Sequence, residues 1–352
     1  PINRDRLGLV ANFDLKTDNG SYYWRNLYSE FSDQEYRTRK QWKFDDGEAV
    51  SGTDTSAMWE DGVVEKEMKD RLEEQEILSV LLGGENYLNT WTIDYSYGYS
   101  KSLEAEPNRL DTVFVAEELE MGYTDIGQIP DLVGEDALYE AGSYFMDEIV
   151  FLDGETNDEA NTFRFNVTND LFSDAYNGDI RFGALYRTRD KEYDANEIVY
   201  AAPGDMSLTL FRSNNPPRYG LGEFGPGISS SGVRNWFFDN QSSLEIEEDD
   251  TLVASLAGDY NMSEDVLAAY LMSSVNLGDW LVVYGVRWED TDFDATGQRI
   301  VADDIGGSGD PEPVPVYYEK DYDHWLPSVN VRWEMNDFVV RASATQTMAR
   351  PN

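Results

Sequence analysis

Trp280-Leu281-Val282-Val283-Tyr284-Gly285-Val286-Arg287-Trp288 alternates. Its even positions carry Trp280, Val282, Tyr284, Val286 and Trp288, while its odd positions include Gly285 and Arg287, with Glu289 just beyond. A strand points successive side chains to opposite faces, so the run has one wholly apolar face with an indole at each end. Eight residues at about 3.3 Å each separate the two indoles by roughly 26 Å along the strand. Tilted by about 40°, that is about 20 Å of height, close to the ~25 Å apolar band between aromatic girdles of a membrane-spanning barrel. Trp91, Tyr99, Trp280, Trp288 and Trp333 are the girdle residues this reading expects.

The same period recurs outward from that stretch. Trp91, Ile93, Tyr95, Tyr97 and Tyr99 oppose Thr92, Asp94, Ser96 and Gly98; Leu7, Leu9, Ala11, Phe13 and Leu15 oppose Asn12, Asp14 and Lys16. Phe163, Phe165 and Val167 oppose Arg164, Asn166 and Thr168, and Ile180, Phe182, Ala184 and Tyr186 oppose Arg181, Arg187 and Arg189. Near the end, Val329, Val331 and Trp333 oppose Ser328, Asn330 and Arg332, then Phe338, Val340, Ala342 and Ala344 oppose Arg341, Ser343 and Thr345. Alternation alone also fits a soluble sandwich. Charged residues on the polar face, in place of only Ser and Thr, suit a wide hydrated lumen.

Short and long connections alternate. Short turns are expected near 17–20, 85–90, 173–179, 276–279 and 334–337, and long polar loops near 45–62, 101–161, 191–264 and 291–321. Long structureless loops are uncommon in compact domains, whereas outer-membrane barrels have short periplasmic turns and long extracellular loops. About ten strands follow, near 6–16, 21–44, 64–86, 90–115, 145–172, 179–200, 264–277, 279–290, 322–335 and 337–347, several long enough to project above a bilayer. The expected fold is all-β: an antiparallel up-and-down transmembrane barrel segment covering residues 1–352. Ser21 to Phe44 alternates poorly, with Arg25 and Leu27 on one face.

Composition excludes several classes. With 69 acidic and 27 basic residues and a formal charge of −42, the chain repels nucleic acid, whose phosphates need Lys and Arg. The absence of cysteine and a single histidine rule out disulfide scaffolds, thiolate zinc sites and His-based metal cages. Aromatic content of 13% argues against disorder. No apolar run of about 18 residues is present to form a membrane helix.

Leu326-Pro327-Ser328-Val329-Asn330-Val331-Arg332-Trp333, followed by Arg341-Ala342-Ser343-Ala344 and the closing Met348-Ala349-Arg350-Pro351-Asn352, resembles the "LPS-x-N-x-R" strand and the following "ARP" strand of TonB-dependent receptors. Gly285-Val286-Arg287-Trp288-Glu289-Asp290-Thr291 is similar to a second strand of that family. Glu74 to Pro107, with a tryptophan-led strand and a Glu-x-Glu-Pro exit, resembles the subgroup associated with carbohydrate uptake. The resemblance implies part of a 22-stranded barrel in a bacterial outer membrane, an internal segment without plug or terminal strands. It further implies energy coupling through the TonB complex by way of an absent N-terminal region, contact with outer-membrane lipid, and a surface lipoprotein as a further partner. The implied activity is uptake of a scarce solute, an oligosaccharide first and a siderophore second. A secreted, acidic, all-β carbohydrate-binding or hydrolytic domain is the alternative from another class.

Ring-rich loop residues Tyr219, Phe224, Trp236, Phe237 and Phe238 are the candidate ligand contacts, since sugars dock on aromatic faces; the competing expectation is that they pack the loop on itself. Acidic runs at Asp45-Asp46, Glu117-Glu118 and Glu247 to Asp250 offer oxygen ligands for calcium, but without EF-hand spacing they read as solvated surface. His324, beside Trp325, reads as an interface residue. No catalytic residue, cofactor or metal site is expected: Gly225 to Gly232 has neither a P-loop lysine nor a nucleophile elbow.

Overall fold

The computed structural model describes residues 2–125, 130–173, 176–213, 217, 223–302 and 310–349. The elements in chain order begin with β1 (Ile2–Thr17), β2 (Gly20–Lys43), β3 (Glu48–Gly52), β4 (Ala57–Leu88), β5 (Trp91–Thr124), β6 (Asp131–Gly134), β7 (Phe145–Ser173) and β8 (Tyr176–Ala201). They continue with β9 (Arg212–Ser213), β10 (Gly227–Ile228), α1 (Ser230–Asn240), α2 (Glu248–Leu256), β11 (Tyr260–Leu277), β12 (Trp280–Ala302), β13 (Pro311–Met335) and β14 (Phe338–Thr345). Ten long strands pair in the order β1-β2-β4-β5-β7-β8-β11-β12-β13-β14, each antiparallel to its sequence neighbour along the sheet; β3 and β6 add to β4 and β5, and β9 pairs with β10 apart from it. This is an up-and-down meander, and no helix of the described residues is long and apolar enough to cross a membrane.

Two-residue turns join β1 to β2, β4 to β5, β11 to β12 and β13 to β14. Asn89, Gly278 and Asn336 open three of them with positive φ, a conformation Gly and Asn adopt at the least steric cost. The connections at the other end of the sheet are longer.

Cross-strand pairs put like side chains on one face. Phe13, Trp24, Leu82, Tyr97, Phe163, Tyr186 and Leu267 form one unbroken row across seven strands. Six of those seven are exposed. Trp280 and Tyr284 on β12 and Tyr95 on β5 are likewise 45%, 47% and 40% exposed, with no second layer over them. A sandwich would bury these rings, whereas a contiguous uncovered apolar surface is the mark of contact with lipid or protein. The opposite face carries paired charges: Arg25 with Asp14, Arg187 with Glu264, Arg287 with Glu289, and Arg71 with Glu35, Glu73 and Glu106. Arg25 and Leu27 do lie on this face, because β2 pairs with both neighbours without a register shift.

Most of the residues expected in long loops are strand. β5 runs to Thr124 and β7 starts at Phe145, within the expected loop 101–161; β12 and β13 likewise claim most of 291–321, β3 and β4 most of 45–62, and β8 with two helices much of 191–264. The alternation continues there but changes phase, which a simple polarity reading misses. Glu106-Pro107-Asn108-Arg109 holds a bulge: the register of β5 shifts against both β4 and β7 at this point. Proline lacks the N–H that a regular ladder needs and is tolerated at such bulges. Asn108 takes φ 53°, and its N–H donates to Asp153 Oδ1 at 2.7 Å. Beyond the bulge, even-numbered residues of β5 (Leu110, Thr112, Phe114) replace odd-numbered ones on the ring-bearing face.

Those residues, with Val64, Met68, Ile149 and Phe151, form a floor on which the connecting segments pack. Leu138, Tyr144, Leu208, Phe211, Ile228, Val233 and Phe237 close over it, and the cluster is the protein's hydrophobic core. α1 is capped by Ser229, whose hydroxyl accepts from Gly232 N. Glu248, Asp249 and Asp250 fill the first turn of α2, where the helix dipole favours negative charge.

Candidate functional site

The expected ring cluster divides. Phe224 and Phe237 are buried; Phe237 packs against Phe151, Tyr200 and Phe238 with centroids 5.3–5.4 Å apart. Trp236 is half-buried edge-on to Phe211, and Phe238 alone of the described four keeps an exposed ring, 46% accessible, with Arg234 over it. Tyr219 lies outside the described residues. These rings therefore build the layer over the sheet. Of the residues expected to form a girdle, Trp91, Trp280 and Trp333 sit at the short-turn end of their strands and Tyr99 and Trp288 further along, all on the ring-bearing face; Trp280 stacks on Trp333 at 5.4 Å and 15°.

Under Phe224 lies a buried lysine that composition gave no reason to expect. Lys66 Nζ, fully enclosed, donates to the carbonyls of Phe224 (2.8 Å) and Pro226 (2.6 Å) and sits 4.7 Å from the ring centres of both Tyr144 and Phe224. Burial, then the neighbouring Lys40, pushes its amine down to about 6. Lys40, paired with it across β2 and β4, lies between Trp42 and Tyr139, and burial lowers it to about 8. The chemistry is structural: the lysine ties the chain at 224–226 to the sheet.

The polar face holds a different kind of site. A cavity of about 660 Å³ opens between β8 and β13 above the level at which the apolar rows end. Arg187, Arg189 and Lys191 line it from alternate positions of β8, and Lys320, Tyr322 and His324 from alternate positions of β13. Phe293, directly paired with Lys320, and Tyr318 complete the aromatic part. His324 thus faces a cavity, with its ring 5.7 Å from that of Tyr322, in place of the interface role its neighbour Trp325 suggests. Arg189 Nε donates to Asp158 Oδ1 at 2.9 Å, and that hydrogen bond holds the Asp158 carboxyl below the usual carboxylate range. Arg187 pairs with Glu264. The spacing was legible in the sequence, since Arg187, Arg189 and Lys191 share a parity. That Tyr318 to His324 would line the same cavity was not, because β11 and β12 intervene.

The acidic residues expected as solvated surface lie apart from this cavity: Asp45 and Asp46 in a short 3-10 turn and Glu117 and Glu118 at the outer end of β5. Among the described residues no group of three or more His, Cys, Asp or Glu side chains is arranged to hold a metal ion.

No curated protein matches the sequence. Among solved structures, the unliganded ferric citrate transporter FecA is 10% identical with a TM-score of 0.30, over 97% of this chain and 43% of that one. The closed and open forms of the ferric-catecholate import receptor Fiu from E. coli K12 are each 8% identical with a TM-score of 0.38, over 95% and 99% of this chain and 47% and 53% of theirs. The chain thus spans about half the length of these structures. The family described as "TonB dependent receptor-like, beta-barrel" matches residues 2–352. With a ten-strand antiparallel meander, a ring-bearing face left uncovered toward its short-turn end and an opposite charged face, the chain belongs to the TonB-dependent receptor β-barrel family.

Proposed function

We propose that the protein lies in a bacterial outer membrane and takes up a scarce solute, an oligosaccharide in the first instance, by TonB-dependent transport. The observation that carries this reading is the two-sided wall. Rings such as Trp280 and Tyr284 stay uncovered on one face, and paired charges with a ring-lined cavity occupy the other. The first face suits hydrocarbon, and the second suits a hydrated lumen. In this orientation the two-residue turns face the periplasm and the long connections face outward, and Trp91, Tyr99, Trp280, Trp288 and Trp333 act as the membrane girdle. Energy would arrive through a plug and N-terminal region, and a surface lipoprotein could deliver ligand. Cavity residues on β8 and β13 contact the solute in preference to the mostly enclosed rings of Phe224 and Phe237.

A ferric chelate is the second reading, favoured by the cations in that cavity. The test is uptake of labelled oligosaccharides and of ferric citrate by cells carrying or lacking TonB. Sugar accumulation that needs both TonB and this protein supports the first reading; ferric citrate accumulation alone supports the second. Recovery of the protein in the soluble fraction would refute both.

A further inference from the structure

We propose that the cavity between β8 and β13 is a binding site for a linear polyanionic oligosaccharide, one whose sugar rings carry carboxylates or sulfates. The inference rests on the uptake reading and names its ligand class. Charge is the first ground. In a chain with 69 acidic and 27 basic residues, this wall presents Arg187, Arg189, Lys191 and Lys320, with Glu264 paired to Arg187 and Asp158 to Arg189, so that the cations outnumber the carboxylates beside them. A strongly negative protein repels polyanions nearly everywhere, so a local reversal of sign concentrates them at one place.

Geometry is the second ground. Alternate residues of a strand lie about 6.6 Å apart on one face, so the three β8 cations form a ladder about 13 Å long. Lys320, Tyr322 and His324 form a parallel strip three strands away, about 14 Å across the sheet. A compact anion is best held by converging donors, whereas parallel strips of cations and rings match a chain that repeats both a flat face and a charge. Rings supply the stacking surface for the sugar faces.

Availability is the third. Among the described residues Lys191 and Lys320 make no ion pair: each rests over a tyrosine ring, Tyr260 at 5.7 Å and Tyr322 at 5.5 Å. Both ammonium groups can reach a ligand's oxygens without an ion pair being broken, each giving up only its contact with a ring.

The full-length protein in detergent, titrated calorimetrically with hexagalacturonate, its fully methyl-esterified form and a sulfated neutral hexasaccharide, tests this. At least one anionic hexamer is expected to bind, with the ester about tenfold weaker or worse, and the winning hexamer separates carboxylate from sulfate. Lys191→Gln/Lys320→Gln, which removes two charges but no ion pair, is expected to weaken that hexamer about tenfold, since charge-assisted hydrogen bonds are the stronger ones. Ester binding as tight as the acid, unchanged affinity in the double variant, or no binding of either anionic hexamer would overturn the proposal. TonB-dependent accumulation of a neutral sugar in those same cases would leave the receptor reading standing, so the two failures are distinguishable.

Discussion

Lys66 on β4 holds the backbone of Phe224, 158 residues later in the chain, by a 2.8 Å hydrogen bond from its Nζ to the carbonyl oxygen. The same nitrogen reaches Pro226 O, and Gly225 between them takes φ +75° with its Cα edge toward the lysine. One side chain therefore fixes where the segment leading into β10 and α1 meets the sheet.

Replacing it should release that segment without unfolding the barrel. Lys66→Met leaves two carbonyls without their donor, a cost on the order of 1–3 kcal/mol each where no water enters. Limited proteolysis should then cut within residues 223–229, while the heat-resistant mobility of the barrel on gels stays as before. Unchanged protease resistance would show that core packing alone holds the segment.

The same lysine gives a pH dependence with a definite sign. Its folded-state pKa of about 6 lies below the unfolded value of 10.5, so between these two the unfolded chain binds more protons and stability rises with pH. Below about 6 both states are protonated and the full cost of the buried charge is present. Resistance of the 223–229 segment to protease should accordingly increase from pH 6 to pH 9, and Lys66→Met should flatten that profile.

Asn108 carries the bulge of β5 at φ 53°. A left-handed conformation costs an ordinary L-residue roughly 1–2 kcal/mol, which Asn reduces by local hydrogen bonding and Gly avoids. Asn108→Ala is expected to lower the thermal midpoint, and Asn108→Gly to change it little. An alanine variant as stable as the parent would mean that the bulge relaxes to another geometry.

On the ring-bearing face just past Trp288, three successive cross-strand pairs are acidic on both sides: Asp290 with Asp323, Asp292 with Asp321, and Asp294 with Glu319. Like charges directly opposite one another destabilise a sheet. Asp292 is accordingly shifted upward, by desolvation first and then by Asp321, Asp290, Asp265 and Asp294. A raised folded-state pKa means the folded protein holds the proton more tightly, so stability is gained as pH falls toward it. Asp292→Asn should raise the thermal midpoint at neutral pH and low salt, with the gain shrinking as salt screens the repulsion; a gain that salt leaves untouched would point to a different cause.

Period-two alternation at Trp280 to Trp288, at Trp91 to Tyr99 and at Phe163 to Val167 was enough to establish strands, their apolar face and the short turns between them. Those features depend on neighbours two residues apart, and the sequence alone holds that information. The outer halves of β5, β7, β12 and β13 escaped because the pattern there is polar on both faces or shifts phase at Pro107-Asn108, where the chain inserts one residue. Tertiary structure alone decided the rest: Lys66 finding Phe224, the burial of Phe237, and the meeting of Arg187, Arg189 and Lys191 with Lys320, Tyr322 and His324. Each joins residues separated by many strands or a long connection, and only the register of the intervening hydrogen-bond ladders sets which of them come to share a surface.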